Sequence, residues 1–252
     1  MRRPGLRSLN LAGRKKPYLI AHRGNRVVCP ENTLAAFRRA LSDGADILET
    51  DLHLTSDEEF VCIHDPTVDR TTNGRGAVAE MSLARIQALS ASCGREGFEG
   101  EHVPCLRELA ALLPAQIALA LELKTDRFLE PQTCLKLVQE LEPSGVLGRT
   151  VVLSFSMGRL MMVRQVSPDI PIGWITAQRP WPLPAVDLLG PLWPFVLLNP
   201  VYVLAAHLRG QAVCPLDPLP DGRLRLYCFL GCDAVLSDNP GATRLALDRM
   251  AR

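Results

Sequence analysis

The sequence lacks the marks of a membrane-spanning or exported protein. It has no run of about 18 apolar residues, so no transmembrane helix is expected. Its basic beginning has no apolar core of about 7–15 residues and no small-residue cleavage site, so we expect no secretion signal. The eight cysteines form no C-x-x-C pair. We therefore expect reduced, mostly buried thiols, no zinc site and a cytoplasmic location.

An excess of charge of either sign is also missing. The chain has 28 Lys and Arg residues against 27 Asp and Glu, for a net charge of +1. This balance gives no reason to expect nucleic-acid binding or attraction to an anionic membrane surface. No exposed apolar anchor is apparent, which disfavours an enzyme that works at a lipid surface. The oligomeric state is left open.

What the chain does have is apolar sequence, 47% of 252 residues, which is ample for a large core. No Ser/Gly linker, composition shift or internal repeat divides it. We expect a single domain over residues 1–252, in which residues 1–16 form a flexible N-terminus.

Strand-like and helix-like segments alternate along the whole length, which is typical of a parallel α/β protein. Nine strand candidates are present, one more than a TIM-type (βα)8 barrel needs: residues 18–22, 46–52, 60–63, 116–124, 150–155, 172–176, 195–198, 211–214 and 234–237. We predict a somewhat irregular TIM barrel.

Three connections depart from a regular barrel. Residues 66–104 are too long for an ordinary βα loop and predict a small inserted lid, or cap, after the His64 strand. Residues 179–194 carry five prolines and predict a structured loop. The link between Asp51 and Phe60 is too short for a helical crossover. The next strand therefore either pairs irregularly or returns in an extended form.

Charged residues stand where the predicted strands end. Glu49 and Asp51 are two residues apart, so they share one face of an extended strand. In a TIM barrel the carboxyl ends of the strands form the active site. Seven residues from four strands should therefore converge there: His22, Arg23, Glu49, Asp51, His64, Glu122 and Lys124.

This set of side chains indicates phosphoester chemistry. Three carboxylates buried together raise one another's pKa, and a bound Mg²⁺ or Ca²⁺ relieves that repulsion with the oxygen ligands both ions prefer. Two histidines beside the ion can act as general acid and general base. Arg23 and Lys124 would then hold an anionic substrate.

The motifs are similar to those of the glycerophosphodiester phosphodiesterase family of TIM-barrel enzymes. In order they are AHRG, PENT-x3-F, GAD-x2-E-x-D, T-x-D, V-x-x-HD, R-x-T and ELK, spanning residues 21–124, with weaker echoes in SF at 154–155 and SDNP at 237–240. The resemblance implies metal-dependent hydrolysis of glycerophosphodiesters to an alcohol and glycerol 3-phosphate.

By position, the resemblance also implies roles for the seven residues. His22 and His64 match the catalytic acid–base pair, and Arg23 and Lys124 match the phosphate contacts. The metal ligands match Glu49, Asp51 and Glu122. One departure concerns the substrate's alcohol or glycerol side: a late-strand Trp-Thr motif is replaced by AVCPLDPLP at residues 212–220, which holds no aromatic residue.

Neighbouring polar residues receive supporting roles. We expect Asp65 to orient the segment after His64 and Arg70 to pair with a carboxylate of the insert. Glu31 and Asn32 should shape the start of the first helix, with a contact near the site as the alternative.

Two other functions remain possible: a lyase that forms a cyclic phosphate, and a non-catalytic phosphoester-binding barrel. The sequence also leaves open the head group, Mg²⁺ against Ca²⁺, and which histidine is the acid. It does not say whether water attacks directly or a cyclic intermediate forms.

Overall fold

The computed structural model describes residues 11, 13–179, 181–182 and 186–250. Its sheet has nine strands: β1 Tyr18–His22, β2 Ile47–Leu54, β3 Phe60–Cys62, β4 Ala118–Leu123, β5 Thr150–Ser154, β6 Ile172–Thr176, β7 Leu188–Pro191, β8 Ala212–Val213 and β9 Ala234–Ser237. Eight of them form a nearly closed parallel barrel in the order β8-β7-β6-β5-β4-β2-β1-β9. The predicted TIM-type barrel is confirmed.

Helices follow most of the barrel strands. They are α1 Leu34–Ser42, α2 Leu83–Gln87, α3 Leu106–Leu112, α4 Pro131–Leu141, α5 Met157–Val166, α6 Trp193–Leu198, α7 Tyr202–Leu208, α8 Leu224–Leu230 and α9 Pro240–Met250. The first helix begins where its sequence indicates, because the Thr33 hydroxyl accepts a hydrogen bond from the Ala36 N–H at 3.2 Å. In the part of the chain that the structure describes, no helix is both long and apolar enough to cross a bilayer.

The strands are buried on both faces, so alternate residues belong to two apolar layers. On β4, Leu119 and Leu121 pack under the helices, whereas Ala118 and Ala120 face the barrel interior. The same alternation on the other barrel strands adds further side chains to the interior, among them Ile20, Ile47 and Val151. Residues that follow in the inward register reach the carboxyl end of the barrel.

The ninth strand lies outside the barrel path. β3 pairs antiparallel with β2, with Leu52 opposite Cys62 and Leu54 opposite Phe60. This hairpin settles the open question about the short link: the chain turns back on β2 instead of crossing over. The C-terminal end of β3 therefore points toward the barrel, opposite to the direction expected for a parallel strand.

One strand prediction was wrong and another strand was missed. Residues 195–198 were expected to be a strand but lie in α6, where Pro194 occupies the first turn and needs no amide donor. β7 lies within the proline-rich segment predicted as a loop. Its Pro191 is the last strand residue, where proline is tolerated. Of that segment, residues 180 and 183–185 lie outside the described residues.

The barrel edges β8 and β9 meet through Asp233, the residue before β9. Its N–H donates to the Val213 carbonyl at 2.9 Å, and its carboxylate accepts from the Val213 N–H at 2.8 Å. Lys16 and His207 also contact this carboxylate, at 2.7 and 2.9 Å. Of the N-terminus predicted to be flexible, residues 1–10 and 12 lie outside the described part.

The segment 66–104 has little regular structure beyond α2 and a short 3-10 helix at Val78–Glu80. It surrounds an apolar cluster of its own, whose residues are Val61, Ile63, Val68, Val78, Met81, Ile86, Ala91 and Val103. Two of these, Val61 and Ile63, lie within the hairpin or next to it. The insert is thus built onto the β2–β3 hairpin, beside the carboxyl end of the barrel.

Candidate active site

The turn after β1 places the first two site residues. Arg23 has φ +56° and Gly24 has φ +78°. A Cβ on Gly24 would lie 2.6 Å from the carbonyl carbon of Ala36, so glycine is required by both conformation and space. This turn directs the Arg23 N–H to Glu49 Oε2 at 3.0 Å.

Three carboxylates meet because β2 and β4 are neighbours in register. Asp51 lies opposite Glu122, and Glu49 is two residues earlier on the inward face of β2. Oxygen atoms of all three lie within 4.8 Å of one another, and all three residues are buried. Oxygen donors at this spacing fit a hard divalent cation.

Burial and mutual repulsion perturb these carboxyl groups unequally. Burial, then Asp51 and Glu122, raises the pKa of Glu49 well above its usual value. Burial also raises the pKa of Glu122, against the opposing effect of Lys124. Burial acts in the same direction on Asp51, but Lys124 and Arg23 outweigh it and hold the Asp51 pKa below its usual value.

Two cationic side chains offset the negative charge of this carboxylate cluster. Lys124 Nζ lies 2.6 Å from Glu122 Oε1 and 3.1 Å from Asp51 Oδ1. Arg23 Nε lies 3.0 Å from Asp51 Oδ2. Although burial opposes it, the pKa of Lys124 is raised by Asp51 and Glu122, so its ammonium stays charged.

The hairpin brings His64 to the same place. The Ile63 N–H donates to the Asp51 carbonyl at 3.0 Å, which fixes His64 beside the carboxylates. Its Nδ1 lies 2.7 Å from Asp65 Oδ1, and Asp65 accepts from Arg70 at 2.6 Å. Burial lowers the pKa of His64, which favours the neutral ring.

The first histidine has a matching partner from the far end of the chain. His22 Nδ1 lies 2.6 Å from Oδ1 of Asp238, in the loop after β9. Each of these two histidines therefore has its Nδ1 held by a carboxylate, which orients the ring and directs Nε2 away from that carboxylate. Asp238 falls in the SDNP motif, which by itself predicted no role for this residue.

Glu31 is more central than its expected part in starting a helix. Its carboxylate pairs with three guanidinium groups, those of Arg23 at 3.0 Å and of Arg26 and Arg70 at 2.9 Å. Burial raises its pKa, but these arginines outweigh that effect and hold the pKa at about 2. Arg70 thus ties the insert to the site through both Glu31 and Asp65.

Asn32 contacts the carboxylate cluster directly. Its Nδ2 donates to Asp51 Oδ2 at 3.0 Å, and its Oδ1 accepts from the Thr50 hydroxyl at 2.8 Å. Its φ of +55° suits asparagine better than most residues. The PEN motif marked the position, but its contact with Asp51 depends on tertiary structure.

These groups face an open cleft of about 610 Å³. One side is polar and includes His22, Arg23, His64, Glu122 and Lys124, while Glu49 and Asp51 lie buried against Arg23. The structure therefore brings all seven predicted residues together.

The opposite side of the cleft is apolar, and its lining residues are Phe155, Leu192, Trp193, Leu216, Pro218 and Leu219. Trp193 supplies an aromatic ring to the cleft that residues 212–220 lack. It was missed because β7, which precedes it, was predicted as a loop.

The parallel eight-stranded barrel carries clustered carboxylates, two carboxylate-bound histidines and two cationic side chains at the carboxyl ends of its strands. This arrangement defines a TIM-barrel enzyme for anionic substrates. Its sequence matches the model of the glycerophosphoryl diester phosphodiesterase family over residues 22–242. The chain belongs to this family.

Individual relatives agree with the family match. A glycerophosphodiester phosphodiesterase from Caldanaerobacter subterraneus is 33% identical over 231 residues, covering 89% of this chain and 95% of the relative. A putative glycerophosphoryl diester phosphodiesterase from Silicibacter pomeroyi has a TM-score of 0.84, 27% identity, and coverage of 98% and 99% of the two chains. An Oleispira antarctica phosphodiesterase, solved with its product sn-glycerol-3-phosphate, has a TM-score of 0.81, 28% identity and coverage of 92% and 97%.

Proposed function

We propose that this chain hydrolyses glycerophosphodiesters to an alcohol and glycerol 3-phosphate, with one divalent cation and two histidines. The observation that carries the proposal is the meeting of three buried carboxylates with two histidines whose Nδ1 atoms are held by carboxylates. The relatives' names and the glycerol 3-phosphate bound to the Oleispira antarctica enzyme support the substrate class.

Glu49, Asp51 and Glu122 would hold the cation, because their oxygens are close enough to share one ion. Bound there, a divalent cation supplies positive charge that polarises a phosphoryl oxygen and offsets developing negative charge. The oxygen donors suit both Mg²⁺ and Ca²⁺. Burial, and then repulsion from Asp51 and Glu122, raises the pKa of Glu49, and such an ion would offset that repulsion.

Arg23 and Lys124 bind the phosphate in this mechanism. Both line the cleft while remaining paired with Asp51, so their positions are fixed before substrate arrives. Positive groups fixed in place at a water-poor site stabilise a charged transition state without reorganising. Glu31 keeps Arg23 in position from the other side.

His22 and His64 move the protons. A water oxygen bonds to phosphorus, the bond between phosphorus and the alcohol oxygen breaks, one histidine takes the water proton and the other protonates the departing oxygen. The hydrogen bonds from Asp238 and Asp65 keep each ring turned with Nε2 available. Either assignment of acid and base fits this arrangement.

The test is release of glycerol 3-phosphate from glycerophosphocholine, with and without EDTA. We expect EDTA to abolish release and added Mg²⁺ or Ca²⁺ to restore it. His22→Ala should lower kcat by about 10³-fold, whereas His102→Ala, in the insert and paired with Glu108, should not. Undiminished activity in His22→Ala would exclude the mechanism. A cyclic phosphate product that persists in the phosphorus NMR spectrum would show that the enzyme is a lyase and does not hydrolyse its substrate.

A further inference from the structure

One buried carboxylate, that of Glu31, lies behind both proposed catalytic histidines. Its side chain is 6% exposed. In the part of the chain that the structure describes, every partner of this carboxylate is a guanidinium group: Arg23 and Arg70 contact Oε1, and Arg26 contacts Oε2. Three positive charges gathered at one point repel one another, and a charged carboxylate between them offsets that repulsion. Glu31 therefore allows the three arginines to converge.

The first chain of contacts, the Arg70 arm, leads from Glu31 to His64. Arg70 Nη2 lies 2.9 Å from Glu31 Oε1, and Arg70 Nε lies 2.6 Å from Asp65 Oδ2. The other oxygen of Asp65 contacts His64 Nδ1 at 2.7 Å. One guanidinium thus joins Glu31 to the carboxylate that orients this histidine, and because Arg70 belongs to the insert, the arm fastens the insert to the site.

The second chain of contacts, the Arg26 arm, leads from Glu31 to His22. Arg26 Nη2 lies 2.9 Å from Glu31 Oε2, and Arg26 Nη1 lies 3.6 Å from Asp238 Oδ2. Asp238 Oδ1 contacts His22 Nδ1 at 2.6 Å. The distance of 3.6 Å is an ion pair without a hydrogen bond, so this arm is looser than the Arg70 arm.

A role in starting α1 does not account for the Glu31 carboxylate. The N-cap is Thr33, whose hydroxyl accepts from the Ala36 N–H and donates to the Pro30 carbonyl. Among the described residues, no backbone N–H donates to the Glu31 side chain. Burial would favour its neutral form, but the surrounding arginines hold its pKa at about 2, so the carboxylate stays charged.

The opposite side of the cleft supplies no comparable contacts to the two rings. Phe155 is 49% exposed and Leu219 is 69% exposed there, so the expectation that the protein has no exposed apolar anchor was wrong. Such side chains hold no charge and accept no hydrogen bond. The cation on that side, Arg223, is bound by Asp217 at 2.6 and 2.7 Å. The polar side of the cleft therefore orients both histidines.

We propose that Glu31 is a positioning residue for both histidines, because it anchors Arg26 and Arg70, which hold the two carboxylates that orient the rings. This rests on the proposed function, in which His22 and His64 transfer the protons. Glu31 itself touches neither histidine. It acts through two arginines, one on each arm, so a single buried charge keeps the acid and the base in position together.

Glu31→Gln keeps the shape of the side chain and removes its charge. Arg26 and Arg70, whose side chains are 30% and 45% exposed, then turn toward solvent, and both rings lose their support. For glycerophosphocholine we expect kcat to fall by about 100-fold, as small misplacements of reacting groups cause. KM should change by less than about threefold, because Asp51 still holds Arg23. Glu31→Asp keeps the charge and should recover about tenfold in kcat.

Glu59→Gln is the matched control. Glu59 is also bound by two cationic side chains, Arg107 at 2.6 Å and Lys136 at 3.8 Å, and in the described part of the chain none of the three contacts a proposed catalytic residue. This variant should leave kcat and KM unchanged. Circular dichroism and urea unfolding measure the folded fraction of every variant.

Double variants separate the two arms. Arg26→Met combined with Asp238→Asn should lose less activity than the product of the single losses, by about fivefold or more, and so should Arg70→Met combined with Asp65→Asn. The crossed pairs, Arg26→Met with Asp65→Asn and Arg70→Met with Asp238→Asn, should simply multiply. Glu31→Asp should be non-additive with both aspartate variants, which keeps the test decisive if Glu31→Gln does not fold.

Three results would overturn the inference and leave the proposed function standing, with the wild type active and His22→Ala impaired. In the first, Glu31→Gln keeps its kcat. In the second, the losses multiply in all pairs. In the third, kcat falls only as far as the folded fraction falls, which would make Glu31 a structural residue. If the wild type cleaves no glycerophosphodiester, the proposed function itself fails.

Discussion

Glu49 shows how a single side chain is held in an unfavourable state at this site. It is buried beside Asp51 and Glu122, which raises its pKa, and it accepts a hydrogen bond from the Arg23 N–H at 3.0 Å. A structural residue at this position would be more stable without the charge. In the proposed function, the cost in stability at this site is accepted because the carboxylates would hold a cation.

Glu49→Gln should separate these two effects. Glutamine keeps an oxygen for the Arg23 N–H but removes one of three mutually repelling charges. In EDTA we expect the free energy of unfolding to rise by roughly 1–2 kcal/mol, whereas activity with metal should fall by about 100-fold or more. Urea unfolding and steady-state kinetics measure the two; a destabilised variant would contradict the charge argument.

His64 permits a pH experiment that assigns the proton donor and acceptor. Burial lowers its pKa, and the adjacent Asp65 raises it. Asp65→Asn removes the raising effect, so the limb of the kcat/KM profile that belongs to His64 should move to lower pH. The acid limb moves if His64 is the base, and the alkaline limb moves if it is the acid.

The matched variant for this experiment is Asp238→Asn, because Asp238 contacts His22 as Asp65 contacts His64. We expect it to alter the opposite limb. If both variants altered the same limb, or neither altered any, the two histidines would not be the acid–base pair. Circular dichroism verifies that both variants fold.

At the scale of elements, the inward register of the strands could be predicted from the sequence. Apolar runs on both faces located β1, β2 and β4, and the spacing of Glu49 and Asp51 gave their shared face. The antiparallel direction of β3 and the existence of β7 could not be predicted from the sequence. Both depend on pairing with other strands. A hairpin with only three paired positions and a strand that ends in proline have weak local sequence preferences for strand.

The two edge strands of the barrel, β8 and β9, are joined at a seam by the carboxylate of Asp233. Burial alone would raise its pKa, but Lys16, His207 and the Val213 N–H outweigh that effect and lower it. A lowered folded pKa means that the stabilisation is present above the unfolded value of about 3.9 and is lost as pH falls through the folded value.

Asp233→Asn should therefore destabilise the barrel at neutral pH, by about 2 kcal/mol, with a deficit that shrinks as pH drops below about 4. Urea unfolding at a series of pH values measures this. Asp248→Asn on α9 is a control for a general change of charge. A deficit that stays constant down to acid pH would show that the charge of Asp233 does not support the seam.

For the whole molecule, the insert at residues 66–104 should unfold together with the barrel. Its apolar cluster incorporates Val61 and Ile63 from the hairpin, and Arg70 joins it to Glu31. The location of the insert followed from the length of the loop. Its dependence on hairpin residues for a core could not be predicted, because those residues looked like an ordinary barrel strand.

Ile86→Ala tests this coupling, because Ile86 is fully buried in the cluster. We expect a loss of about 2–4 kcal/mol, from lost burial and the cavity left behind. Calorimetry should show a single transition shifted to lower temperature. A separate, earlier transition would mean that the insert is an independent unit.

The β2–β3 hairpin also determines where this protein can change in length. The turn is closed by the Thr55 N–H on the Glu59 carbonyl at 3.0 Å and by Glu58 at φ +67°. Side chains alternate along a strand, so adding or deleting one residue here would turn His64 away from Asp51. A loop such as that before β7 changes length without re-aiming any proposed catalytic group. Evolutionary insertions and engineered fusions should therefore be accepted in the later loops and rejected at residues 55–59.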